Sequence, residues 1–187
     1  LLKQGKALKR GFDALGIPTS PTPQAILSRR RGERAACILD GWCAAGCPTG
    51  ALANPQVTYL QQALLAGATV INNAYVTRVH TNTAGDRATG VEFFDAAGAK
   101  QQVDGKVIAL GAYAIENPRI LLNSASSAHP PGLANSSGLV GAYMMTHVGG
   151  QVFGLFKEQT APYMGRSVGE LWSQAHYTCD AKNNGDI

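Results

Sequence analysis

Residues 107–124 read VIALGAYAIENPRILLNS. The apolar run Val107 to Leu110 predicts a short buried strand leading into Gly111. A helix is expected over about Ala114 to Asn123. Proline lacks an N–H and is best tolerated in a first turn, so Pro118 puts the expected start of that helix near Asn117. Ile120, Leu121 and Leu122 are its predicted buried positions. Strand, glycine and helix in this order imply an α/β fold.

Upstream, Tyr75 to Thr81 (YVTRVHT), Arg87 to Asp95 and Gln101 to Ala109 carry strand character, with Asp95-Ala96-Ala97-Gly98 as a turn between the last two. Thr69 to Ile71 reads as a shorter β segment. Val57 to Ala66 predicts a helix ended by Gly67. Leu1 to Leu15 predicts an amphipathic helix with Leu8, Phe12 and Leu15 on one face and Gly16 as its C-terminal cap. Pro18, Pro21 and Pro23 stiffen the connection that follows. Downstream, Ser124 to Gly141 is a Ser/Gly/Pro-rich loop, and VGGQVFGLF from Val148 reads as a strand entering another structural layer.

The chain has 187 residues, 45% hydrophobic and 15% charged, a composition that supports a packed core and argues against overall disorder. It opens at Leu1 with no signal or transit peptide and closes on Asn183-Asn184-Gly185-Asp186-Ile187, which reads as an internal piece of a longer protein. No apolar run approaches the roughly 20 residues that span a bilayer. The formal charge is +4, with Arg29, Arg30, Arg31 and Arg34 clustered. No aromatic interleaving or helix-turn-helix pattern accompanies them, so they read as a solvated surface and not as a nucleic-acid interface.

Three of the four cysteines share one stretch, Cys37-ILDGW-Cys43-AAG-Cys47-Pro48. The C-x5-C-x3-C spacing, with Gly41, Ala44, Ala45 and Gly46 between, lets the backbone wind tightly. The residues alone leave three uses open. A disulfide would leave one thiol over. A structural zinc would need a fourth ligand, and His129, His147 and His176 have no helpful spacing. An iron–sulfur cluster is held by thiolates, and one iron fewer than a cubane needs only three. Cys179 lies apart from them.

Several blocks together resemble the middle of the glucose–methanol–choline (GMC) oxidoreductases. They are Gly46-Cys47-Pro48-Thr49-Gly50-Ala51, Thr58-Tyr59-Leu60, Ala66-Gly67-Ala68, Val76-Thr77-Arg78-Val79, Arg87 to Glu92, Ala114 to Ser124 and Gly132 to Gly141. Within that family the chain is most similar to the catalytic subunits of bacterial FAD-dependent glucose, gluconate, sorbitol and fructose dehydrogenases.

The resemblance implies FAD as cofactor and a sugar or alcohol CH–OH group as substrate. It also implies a 3Fe–4S cluster on Cys37, Cys43 and Cys47 that relays electrons to an acceptor such as a cytochrome c subunit, with a small accessory subunit and a periplasmic or membrane-associated setting. An iron-free GMC enzyme with structural cysteines, or a small electron-transfer module without flavin, are the competing readings.

By resemblance, Val76 meets the adenine through its backbone, and Gly111 and Ala112 lie beside the dinucleotide, with Gly111 allowing close approach. Relatives commonly carry glycine where this chain has Tyr113. By the same resemblance residues 1–147 form the central part of an FAD-binding, Rossmann-like domain, and 148–187 begin an antiparallel-sheet substrate domain. The G-x-G-x-x-G fingerprint is not found, and none of the four histidines matches the family's catalytic motif. His80 and His129 read as surface residues and His147 as structural. Trp172 and His176 are candidates for a substrate pocket. Asn135 fits a glycosylation sequon but reads as a loop-capping asparagine.

Overall fold

The computed structural model describes residues 1–166 and 169–175. Its contacts divide into two units, one of residues 1–68 with the described residues from 152 onward, the other of residues 69–151. His176 and Cys179 lie outside the described residues.

The first unit opens with α1 (Lys3–Ala14). A Schellman motif ends it: Gly16 N–H donates to Asp13 O at 3.1 Å and Ile17 N–H to Phe12 O at 2.9 Å. Gly16 has φ +68°, so the glycine stands where the left-handed cap demands one. The expected apolar face is not the buried one. Leu8 and Leu15 are exposed, and Gly5 and Ala7 are buried. Gly5 is covered by Glu170, whose carboxylate accepts from Leu2 N–H at 2.9 and 3.1 Å. That carboxylate sits where a Cβ on Gly5 would stand, so only a small residue fits there. A carboxylate at a helix N-terminus also complements the helix dipole.

β1 (Ser20–Pro21) pairs antiparallel with β5 (Leu171–Trp172). A 3₁₀ turn over Pro55–Val57 leads into α2 (Tyr59–Leu65). Gly67, at φ +92°, closes α2 in a second Schellman motif, with Gly67 N–H on Leu64 O and Ala68 N–H on Ala63 O.

The second unit is a three-stranded antiparallel meander, β2 (Tyr75–Thr81), β3 (Ala88–Phe94) and β4 (Lys100–Asp104), followed by α3 (Tyr113–Asn123). Val79 and Phe93, on β2 and β3, and Ile120, on α3, are its buried apolar side chains. Successive helical residues are about 100° apart, so Ile120, Leu121 and Leu122 cannot all face inward. Ile120 alone is buried, and Leu122 is 40% exposed. Asp95 shapes the β3–β4 turn by accepting from Ala97 and Ala99 N–H, both at 2.9 Å.

Three expected strands do not form. Thr69–Ile71, Val107–Leu110 and the run from Val148 carry no ladder among the described residues. An apolar run becomes a strand only when a neighbour takes its backbone hydrogen bonds, and no described segment does so here. The helix begins one turn earlier than proline logic placed it, at Tyr113, so Pro118 falls in its second turn. Ala114, whose carbonyl loses its donor to Pro118, is exposed to water.

β2 is an edge strand whose outer side is satisfied in part by α3. Ser124 Oγ accepts from Val79 N–H at 2.9 Å and donates to Ile120 O at 2.6 Å. Ser124→Ala should therefore leave a buried N–H without a partner and lower stability by about 1–3 kcal/mol, read from the denaturation midpoint. Ser127→Ala, on an exposed residue, should change it by less than about 0.5 kcal/mol.

The Ala99 amide first, and then the Gln101 side chain, hold the Asp95 carboxyl below its ordinary range. A lowered folded value means that the carboxylate adds stability above the unfolded pKa and that this contribution is lost as pH falls through the folded one. Asp95→Asn should flatten that part of the acid limb in a pH series of melting temperatures.

Candidate functional site

The flavin-side candidates Val76, Gly111 and Ala112 all lie in the second unit and are tied to α3. Val76 is half-buried on β2, in register with Phe93 of β3, and the ladder is irregular immediately after it. Its carbonyl accepts from Arg119 Nη2 at 2.8 Å. Because Arg119 belongs to α3 and not to β3, that carbonyl faces the open side of the edge strand. In a strand the N–H and C=O of one residue point to the same side, so the Val76 N–H faces that side too. Arg119 is fixed in turn by Glu116 Oε2 at 2.7 Å and by the Tyr75 ring, 4.8 Å from its centroid.

Asn117 organises the loop before α3. Its Oδ1 accepts from Ala112 N–H at 2.8 Å, and its Nδ2 donates to Leu110 O at 3.4 Å. Gly111 and Ala112 are exposed, and a Cβ on Gly111 would meet nothing within 4 Å. No neighbour in the described protein requires glycine there, so the surface above it is open to a ligand. Along α3, Asn117 and Arg119 thus fix two backbone stretches with uncommitted polar groups. The open edge at Val76 and the uncovered backbone at Gly111 fit a dinucleotide recognised through main-chain atoms.

Roles for Asn117, Arg119 and Ser124 are absent from the reading of the sequence, although all three stand in the block Ala114 to Ser124. The available signal was polar side chains able to reach backbone, Asn117 and Arg119 within the helix and Ser124 just after it.

The cysteines occupy the first unit. Cys37, Cys43 and Cys47 are half-buried free thiols. Leu39 N–H donates to Cys37 Sγ at 3.4 Å and Leu52 N–H to Cys47 Sγ at 3.5 Å. The Leu52 amide, followed by the Thr49 hydroxyl at 3.6 Å, holds the Cys47 thiol below its usual range. That favours thiolate, which is the metal-binding form. Among the described residues, however, no three Cys, His, Asp or Glu side chains gather around one point. The donor chemistry suits a cluster; the loop as folded does not assemble one.

The basic cluster divides by role. Arg29, Arg30 and Arg31 are exposed, whereas Arg34 is half-buried and donates to Gly50 O at 2.8 Å and Ala51 O at 3.1 Å, clamping the loop after Cys47.

Two of the histidines have partners in the fold. His80 lies 3.8 Å from Glu92 Oε2. His129 is half-buried with Nε2 2.7 Å from Gly85 O, and both histidines keep part of their surface exposed. His147 lies exposed outside any helix or strand. Asn135 is buried, donating to Pro131 O at 2.7 Å and accepting from Val140 N–H at 3.0 Å, the loop cap that was expected. Trp172 donates to Ser20 Oγ at 2.6 Å. No helix among the described residues is long and apolar enough to cross a membrane.

The profile of the GMC oxidoreductase family, for its N-terminal, FAD-binding Rossmann-like region, matches residues 2–149, more than half the chain. A 2-methyl-1,2-propanediol dehydrogenase of Mycolicibacterium austroafricanum is 38% identical over 147 residues, 78% of this chain and 26% of its own length. The fructose dehydrogenase large subunit of Gluconobacter japonicus is 38% identical over 135 residues, 72% of this chain and 24% of its own. A 6'''-hydroxyparomomycin C oxidase of Streptomyces lividus is 29% identical over 138 residues. The chain therefore spans about a quarter of the length of the curated relatives it matches.

Tyr113, at the first position of α3, has φ +73°. A side chain in that left-handed region costs roughly 1–2 kcal/mol. Tyr113 is 78% exposed, so little packing is lost with the ring. Tyr113→Gly should raise stability by about 1 kcal/mol, net of glycine's greater chain entropy, measured as a rise in the denaturation midpoint.

Proposed function

The chain belongs to the GMC oxidoreductase family, and on that premise we propose that it forms the middle of the FAD-binding domain of a dehydrogenase acting on a CH–OH group of an alcohol or sugar. Residues 148–187 would open its substrate-binding domain. The observation that carries the proposal is the open polar edge of β2 at Val76, held by Arg119 beside a loop whose Gly111 backbone is uncovered.

FAD, when bound, supplies the hydride acceptor that no side chain can provide. The chain's own part is positioning. Val76 would present main-chain groups to the adenine, and a carbonyl has a second lone pair beyond the one that Arg119 uses. Arg119 fixes that carbonyl from α3, and Asn117 holds the Leu110–Ala112 backbone so that Gly111 meets the cofactor without a side chain between them. The proton of the substrate hydroxyl is assigned to no histidine of this chain.

The proposal extends to electron delivery to a cytochrome c subunit and a small accessory subunit in a periplasmic or membrane-associated setting. It is supported by the resemblance and by a relative that is itself named a large subunit. A three-iron cluster on Cys37, Cys43 and Cys47 requires the loop to close further than it does as folded, and the iron content of purified protein decides it.

Made at the length of its relatives, the protein should purify yellow and reduce a dye with an alcohol or sugar. Val76→Ala should keep its flavin, because the amide and carbonyl remain. Val76→Pro should lose it, because the donor is gone and the strand is disrupted. Flavin-free wild-type protein would overturn the FAD assignment, and equal retention in both variants would overturn the role of Val76.

A further inference from the structure

A cleft of about 890 Å³ opens in the first unit where residues 24–34 and 53–65 come together. Its floor is a short antiparallel pairing, with Leu27 N–H on Ala51 O at 3.0 Å, Ala53 N–H on Ala25 O at 2.8 Å, and Ile26 bridged to Leu52. Small-molecule sites measure roughly 300–1,000 Å³ and are mostly apolar, with a few convergent polar groups. This cleft falls within that range by size, and its lining mixes apolar side chains with polar ones.

Its charge is one-sided. The lining includes Arg31 and Arg34 and contains neither Asp nor Glu. The nearest acid in sequence, Glu33, pairs with Arg30 at 3.4 Å, so Arg31 keeps its charge for something else. Arg31 stands in a tight hairpin, its backbone N–H and C=O exchanging bonds with those of Arg34 at 3.0 and 3.2 Å. Arg34 uses Nε and one terminal nitrogen on Gly50 and Ala51, leaving the other terminal nitrogen with donors to spare. Asn54 spends its carbonyl oxygen on Val57 N–H at 3.1 Å, so its amide NH₂ is the end left to donate. Against these donors stand Ile26, Val57 and Leu65.

We infer that this cleft is a binding site for a small molecule carrying an oxyanion, carboxylate or phosphate, on an apolar body. Two guanidinium groups with no acid beside them attract such a head. The forked donors of Arg31, with the spare terminal nitrogen of Arg34, also match its oxygens in a way that a neutral group cannot exploit. The site is built from other residues than those assigned to flavin and does not depend on that reading.

The test is an amide-resolved NMR titration of the deuterated protein, made at the length of its relatives, with benzoate, with phenyl phosphate and with neutral benzamide. Both anions should shift residues 24–34 and 53–65 saturably, and benzamide should bind at least about tenfold more weakly. Arg31→Gln should weaken both anions by about tenfold, the value of one charge-assisted contact, and leave benzamide unchanged. Gln62→Glu, which adds an acid to the wall, should weaken the anions comparably. Tighter binding of phenyl phosphate assigns a phosphate head, and tighter binding of benzoate a carboxylate. Benzamide binding as tightly as the anions, anion binding unaltered in Arg31→Gln, shifts confined to other residues, or no saturable shift with either anion would each overturn the inference.

Discussion

The second unit depends on how the outer edge of β2 is satisfied. An edge strand leaves every second residue with an unpaired N–H and C=O, and a buried orphan of this kind costs about 1–3 kcal/mol. Here α3 lies along that edge and meets it with side chains in place of a fourth strand. Arg119 takes the carbonyl of Val76, Ser124 takes the N–H of Val79, and Arg78 reaches back to Asn123 O at 2.9 Å. Covering an edge with a helix also blocks pairing with another chain. It is selective, however, because side chains reach particular groups and leave others open. The opening at Val76 is thus a consequence of the way the edge is closed.

The same economy appears before α3. A helix begins with N–H groups that have no partner within it, and a loop running over the surface has similar needs. Asn117 meets two of those needs from inside the helix, at Ala112 and Leu110. Holding the loop from one side leaves the other face of Gly111 bare. Both candidate contacts with a dinucleotide therefore arise from one helix, through residues about 3 Å of rise apart, and both use backbone that the helix has fixed but not covered.

Local signals in the sequence proved dependable where the cause was local. Gly16 and Gly67 end their helices because a Schellman turn needs a left-handed residue, and the turn at Asp95 follows from one carboxylate bonding its own backbone. The strands Tyr75–Thr81 and Ala88–Phe94 were legible because hairpin partners sit nearby in the chain. Val107–Leu110 and the run from Val148 failed for the opposite reason: apolar composition was read as pairing, and the pairing partner is a nonlocal fact. On α1, the burial of Gly5 depends on Glu170, 165 positions beyond it. The helix before Asn123 began early because proline logic weighs a missing N–H and not the side chain of Asn117, which anchors the preceding loop.

The cysteine loop shows the limit of spacing as evidence for a site. Spacing is one-dimensional, and a ligand set requires convergence in three. The backbone does wind tightly between the thiols, with Leu39, Gly41 and Gly46 all at positive φ. Gly41 closes against the Tyr163 carbonyl, where a Cβ would clash. The turns so made point backbone N–H groups at sulfur, at Cys37 from Leu39 and at Cys47 from Leu52. Such N–H···S bonds stabilise negative charge on sulfur, and the same bonds tune the potentials of protein-bound clusters. They serve equally to bury a free thiol with its lone pairs satisfied. Hydrogen bonding thus prepares individual sulfurs for ligation, while assembly of three around one centre demands a further closure that local turns and their glycines do not by themselves impose.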